Sequence, residues 1–152
     1  MSRSRPLWVK PNFLVPEEFI NAVEGAAASA ESQDAHVENG EVNPNIRVSS
    51  VKFLDPMQNK DIAEHVFDLV SQVNAEFYGV DIVAPQALQH TTYRKGSFYK
   101  PHVDVFWETT PDSPVYDRKL SVSILLNDPS EFTGGDIVIN GQPIELERGG
   151  IV

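Results

Sequence analysis

The sequence predicts an α+β domain, with helices first and an all-β sandwich or barrel for them to pack against. Three observations carry this. Apolar residues recur at helical spacing only in the first half of the chain. After Gly79 the pattern changes to short strand-like runs separated by turn residues. No internal repeat divides the 152 residues, which suit one domain large enough for a real core.

Val15-Pro16-Glu17-Glu18 reads as a helix start, with proline and acids in the first turn. Phe19, Ile20, Val23 and Ala27 follow on one face. Ala26 to Asn45 is poor in large apolar residues and reads as a helix end running into a surface loop. Ile46 to Leu54, "IRVSSVKFL", reads as a strand with loose alternation. Asp55-Pro56 forms an N-cap and N1 pair for a second helix over roughly 57–78. Its stripe is Ile62, Val66, Leu69, Val70, Val73 and Phe77, with His65 placed on the helix surface. The strand-like runs are 87–94, 99–106, 118–127, 135–140 and 143–147. Lys95-Gly96, Gly134-Gly135 and Asn140-Gly141 punctuate them, and Asn-Gly is a strong hairpin signal.

Composition narrows the function. Apolar residues at 41% and charged residues at 22% are ordinary globular values. No run of about 18 apolar residues is present, so no membrane span is expected. The start "MSRSRPLWVKPNF" has no apolar core of a signal peptide, and a cytoplasmic location is the expectation. With no cysteine, a metal site must use His, Asp, Glu and water. The net charge of −10 argues against nonspecific nucleic-acid binding. Arg94, Lys95 and Lys100 form a local basic group, read either as a patch or as solvated strand ends.

The sharpest chemical statement lies in "TTYRKGSFYKPHVDVFW", Thr91 to Trp107. On a strand, His102 and Asp104 would point to one side. An imidazole and a carboxylate on one face supply two ligands for Fe(II), Mn(II) or Zn(II), and a third from elsewhere would complete a facial triad. The competing reading is a local surface hydrogen bond between the two. His36, His65 and His90 are poor candidates for the third ligand. His36 sits in a polar loop, His65 on a helix, and His90 differs in parity from Tyr93.

The surroundings extend this pattern. Tyr93-x-x-Gly96-x-x-Tyr99-x-x-His102-x-Asp104 resembles the first half of the prolyl-hydroxylase-like iron(II)/2-oxoglutarate dioxygenases. "RKLSVSILLNDPSEFTGGDIVIN" is similar to the segment that follows in bacterial and phage PKHD-type hydroxylases. "NAEFYGVDI" and "LQHTTY" resemble the upstream part of that group, so the likeness covers about residues 46–152. It implies a double-stranded β-helix, or jelly-roll, with residues 1–86 as a helix-rich support and 87–152 as the barrel core. His102 and Asp104 match two iron ligands, and Tyr93 matches a tyrosine that hydrogen-bonds 2-oxoglutarate. Tyr99 matches a ring lining the iron pocket. Simple strand packing with hydroxyls at the rim would also account for both tyrosines. The implied cofactors are Fe(II), 2-oxoglutarate and O2, with ascorbate admitted. The implied reaction hydroxylates an unactivated C–H bond of a peptide or protein substrate, prolyl in type, and releases succinate and carbon dioxide. The loop "WETTPDSPVYD" after the ligands reads either as a substrate lid or as an ordinary surface connection.

The chain departs from the family pattern at one point. A second histidine, and an Arg or Lys for the far carboxylate of 2-oxoglutarate, lie in the family beyond the segment that "ERGGIV" resembles. The expectation is therefore a single domain over 1–152 whose last strands are missing. Arg118 and Lys119 could hold a carboxylate, but their place at a strand start favours a structural or exposed role. Two other classes stay open. One is a noncatalytic jelly-roll binding or assembly module with a degenerate site. The other is a cupin-like metalloenzyme without a cosubstrate.

Overall fold

The computed structural model describes residues 5–35, 41–104 and 118–152. Within them the chain is mixed α and β, with two α-helices and small antiparallel sheets. The described sheets do not close into a barrel. Among the described residues, no helix is long and apolar enough to cross a membrane.

Helix α1 spans Glu17–Ser29 and buries Phe19, Ile20, Val23 and Ala27, the four positions that the spacing picks out. Pro16 stands at the N-cap in extended conformation, one residue earlier than expected. Its carbonyl accepts from the amides of Phe19 and Ile20. Glu17 and Glu18 then lie where the helix dipole favours negative charge.

The predicted strand 46–54 divides into two. β2 (Arg47–Val48) and β3 (Ser50–Leu54) flank Ser49 and join different sheets. β1 (Gln33–Asp34) and β4 (Leu88–Thr92) pair antiparallel on either side of β3, with Leu54 opposite Leu88 and Lys52 opposite His90. Alternation puts Lys52, Leu54 and His90 on the face toward α1. Accordingly, the Lys52 ammonium donates to the Ala27 carbonyl at 2.6 Å. Leu54 joins Phe19, Ile20, Val23, Ile62 and Val66 in one core with Val15 and Ile151.

Helix α2 begins at Lys60 and runs to Val73, later than predicted. Asp55 does cap, but it closes a separate turn by accepting from the amides of Met57 and Gln58, and Asn59 becomes the N-cap residue. At its other end the helix widens into a π-turn, Asn74–Tyr78, stopped by Gly79 at φ 60°. The extra residue in that turn rotates the apolar stripe, so Phe77 ends 39% exposed instead of in the core. The buried Asn74 side chain holds the exit by bonding both backbone groups of Val80. His65 is not a free surface residue. Its ring stacks on Phe19 at 4.7 Å, and its Nε2 is buried.

Of the later predicted strands, β6 (Ile137–Ile139) and β7 (Gln142–Ile144) form the expected hairpin. Asn140 and Gly141 both take positive φ, as a two-residue turn of this hand requires. The run 99–106 contributes only its start. β5 is Phe98–Tyr99, and it pairs with β2. The described part of that run beyond Tyr99 is not strand, and residues 105 and 106 lie outside the described residues. The run 118–127 forms no regular strand, but Ser123 and Leu125 exchange backbone bonds with Gly149, Gly150 and Val152. Ile124 bridges Ile151 there, which carries Ile151 into the core.

This last segment is also tied to the start of α1. The Arg148 guanidinium donates to both Glu17 carboxylate oxygens, at 2.6 and 3.1 Å. Those bonds hold the Glu17 carboxyl below its ordinary value despite a smaller opposing effect of desolvation. A depressed folded value means that the contact stabilises fully above the unfolded carboxylate range and is lost as pH falls through the folded value. Thermal melting from pH 6 down to pH 3 should therefore show a steeper acid limb in the parent chain than in Glu17→Gln. Equal limbs would mean the pair is not held in solution.

Candidate functional site

The site is built where β2 and β5 meet. Their register sets Arg47 opposite Tyr99, and the Lys100 amide extends the ladder by one bond to the Ile46 carbonyl. Pro101 lacks an amide hydrogen to continue the ladder, and His102, Val103 and Asp104 follow outside any strand. The expected strand geometry is thus absent, yet His102 and Asp104 still face one another.

His102 Nε2 lies 3.3 Å from Asp104 Oδ1. Its Nδ1 is 2.8 Å from the Lys100 carbonyl. A carbonyl only accepts, so Nδ1 carries the hydrogen, and Nε2 is the nitrogen turned toward the carboxylate. Two acceptors facing each other at that distance repel unless something positive lies between them, a proton or a cation. Two donors each about 2.1 Å from one divalent first-row ion, and at right angles, would lie about 3.0 Å apart. The observed spacing is close to that. A ring N–H donated to a backbone carbonyl is also the usual outer support of a metal-bound histidine. The donor set therefore fits two adjacent ligands of such an ion.

Tyr99 stacks on the His102 ring, with centroids 3.6 Å apart and planes inclined by 17°. The Arg47 guanidinium carbon sits 4.5 Å over the same Tyr99 ring, and its Nε donates to the Ser49 hydroxyl at 3.0 Å. Burial raises the Tyr99 hydroxyl above its ordinary value. Arg47 works against that shift, whereas Asp104 and Tyr93 reinforce it. Tyr93, Tyr99, His102 and Asp104 thus share one neighbourhood. Tyr93 is exposed, at 47%, whereas Tyr99 is half-buried.

The structure adds two residues to the site. Arg118, expected at a strand start in a structural or exposed role with a carboxylate as a possible partner, lies outside any regular strand but does meet a carboxylate. Its Nη1 is 3.9 Å from Asp104 Oδ1, and its Nε donates to Gln86 at 2.8 Å. Arg47 gave no local signal. It is distant from the motif in sequence, and only the pairing of β2 with β5 brings it in.

Two of the other histidines are engaged elsewhere. His90 contacts the Glu24 carboxylate at 3.3 Å across the α1 face, and His65 lies against Phe19. His36 and the whole loop 107–117 lie outside the described residues. Among the described residues, no three His, Asp or Glu side chains converge as a metal-holding group. The chain itself matches no protein-family model, no curated protein and no solved structure.

Proposed function

We propose that the chain is an Fe(II)- and 2-oxoglutarate-dependent hydroxylase of the prolyl-hydroxylase-like kind, built on a double-stranded β-helix and acting on a C–H bond of a peptidyl substrate. The observation that carries this reading is the His102–Asp104 pair, with Nε2 and Oδ1 at the spacing of adjacent metal ligands and Nδ1 tied to the Lys100 carbonyl. The resemblance of the Tyr93-to-Asp104 motif supports it independently, and supplies the substrate class.

In this reading His102 and Asp104 hold iron through Nε2 and a carboxylate oxygen. The iron supplies the site for oxygen and for the keto acid, whose oxidation to succinate and carbon dioxide accompanies hydroxylation. Among the described residues these are the two donors brought together, and the family pattern would add a second histidine. The Tyr99 hydroxyl, a phenol that is protonated at neutral pH, can donate a hydrogen bond while its ring covers the imidazole. Tyr93, more exposed, offers its hydroxyl to the keto acid at the rim. Arg118 adds positive charge beside Asp104, where an anionic cosubstrate would arrive.

The test is an anaerobic titration of the full chain with Fe(II), with and without 2-oxoglutarate, followed by visible absorption. A charge-transfer band that needs both additions is the expected result. A folded sample that shows no band overturns the reading. The second reading, a noncatalytic binding or assembly module, is favoured by one observation, that a proton shared between His102 and Asp104 accounts for their contact without a metal. It requires the titration to stay blank.

A further inference from the structure

We propose that Arg47 is a positioning residue for His102, acting through the Tyr99 ring; the inference rests on the site assigned above. His102 lies outside any strand and is 36% exposed at its side chain, so neither a backbone ladder nor core packing fixes its imidazole. The bond from Nδ1 to the Lys100 carbonyl sets the direction in which the ring points. It leaves the ring free to tilt about that bond, and a tilt swings Nε2 away from Asp104. A flat surface against the imidazole removes this freedom, and Tyr99 provides one at 3.6 Å.

Tyr99 in turn needs a support. It belongs to a two-residue strand, β5, whose ladder partner among the described residues is β2. Register puts Arg47 directly across from it. The guanidinium lies over the phenol ring at 4.5 Å, an arrangement that attracts the cation to the ring face. The Ser49 hydroxyl accepts from Arg47 Nε, so the guanidinium plane is itself held. The layers run Ser49, Arg47, Tyr99, His102. Each member restrains the next, and the last carries the nitrogen that faces Asp104. A lysine at position 47 would keep the charge and lose the plane.

The experiment compares Arg47→Ala, Arg47→Lys, Tyr99→Ala, Tyr99→Phe and the Arg47→Ala/Tyr99→Ala double variant in the full chain. Two quantities are read. One is Fe(II) affinity by anaerobic titration. The other is the NMR shift of the His102 ring protons in the metal-free protein, which a stacked phenol moves upfield. Arg47→Ala should weaken Fe(II) binding by about tenfold to a hundredfold, the usual cost of losing an outer support, and should lose much of the upfield shift. Arg47→Lys should fall between it and the parent. Tyr99→Phe keeps the ring and should keep the upfield shift near the parent's. The double variant should bind no worse than Tyr99→Ala alone, because residues acting in series do not add. Parent-like shift and affinity in Arg47→Ala would overturn the proposal, as would additive losses in the double variant. Should Arg47→Ala fail to fold, the Arg47→Lys arm decides by the same two readings. Should the parent take up no iron, the shift alone decides. An Arg47-dependent shift then upholds the positioning role while the hydroxylase reading falls, and an Arg47-independent shift sinks both.

Discussion

Gly149→Ala is expected to destabilise the chain by about 2–4 kcal/mol, far more than the same change at another left-handed glycine. Gly149 sits at φ +78°, where a side chain is strained in any surroundings. Here the surroundings add to that strain. A Cβ would fall 2.8 Å from the backbone oxygen of Val15. Val15 cannot withdraw, because its amide donates to the Gly149 carbonyl at 2.9 Å and its side chain is buried in the core. Gly149 is also bonded through its own amide to the Leu125 carbonyl. The residue therefore pins together the entry to α1, the segment around Leu125 and the strand-like end that carries Ile151 into the core. Gly141 provides the control. Its φ is +77°, and an added Cβ meets nothing within 4 Å. Gly141→Ala should cost only the conformational penalty, about 1–2 kcal/mol. Urea denaturation of the two variants beside the parent measures the difference. Equal midpoints would mean that the close approach to Val15 does not exist in solution.

What the sequence revealed follows the range of the interactions concerned. Helix α1 was legible because one face repeats at 3.6 residues, and its four buried residues lie where the period puts them. The Asn140-Gly141 hairpin was legible because two adjacent residues specify the turn. Long-range matters were not. The division of 46–54 into β2 and β3 depends on which partner each half finds, and those partners, β5 and β4, come much later in the chain. Val103 and Asp104 looked like strand residues from their alternation, yet they have no ladder partner among the described residues, because the chain leaves β2 at Pro101. His65 looked like a surface residue from its polarity. Phe19, on another helix, made it half-buried.

The candidate site divides in the same way. Tyr93, Tyr99, His102 and Asp104 form a local motif, and all four come into one neighbourhood. Arg47 and Gln86 join only through tertiary pairing, and the carboxylate that Arg118 meets, Asp104, is likewise fixed by the fold. The residues that hold such a motif in place are thus harder to find than the motif itself, since no spacing rule links them to it.

Asp104→Ala should weaken Fe(II) binding by at least about a hundredfold, beyond the usual effect of changing an outer-shell partner, and should abolish the charge-transfer band. Its thermal midpoint should barely move. The Asp104 side chain is 43% exposed, and its contact with Arg118 is a long one at 3.9 Å, so the ion pair contributes at most about 0–1 kcal/mol in a solvated setting. The pairing of a large functional loss with a small structural one is what separates a ligand from a packing residue. Asp104→Asn sharpens the point. The amide keeps the shape and one carbonyl oxygen but loses the charge that makes a carboxylate a good partner for a divalent ion. It should bind more weakly than the parent and no better than about tenfold above Asp104→Ala. Suppose instead that His102 and Asp104 form only an ion pair. Then the parent itself binds no iron, and both variants leave every metal readout unchanged. A third pattern, parent-like iron binding in Asp104→Ala with His102→Ala inactive, would leave His102 as a ligand and remove Asp104 from that role. In that event Asp104 would serve Arg118, which Gln86 holds beside it, for structure alone, and the case for an iron site would rest on the motif's resemblance without its geometry.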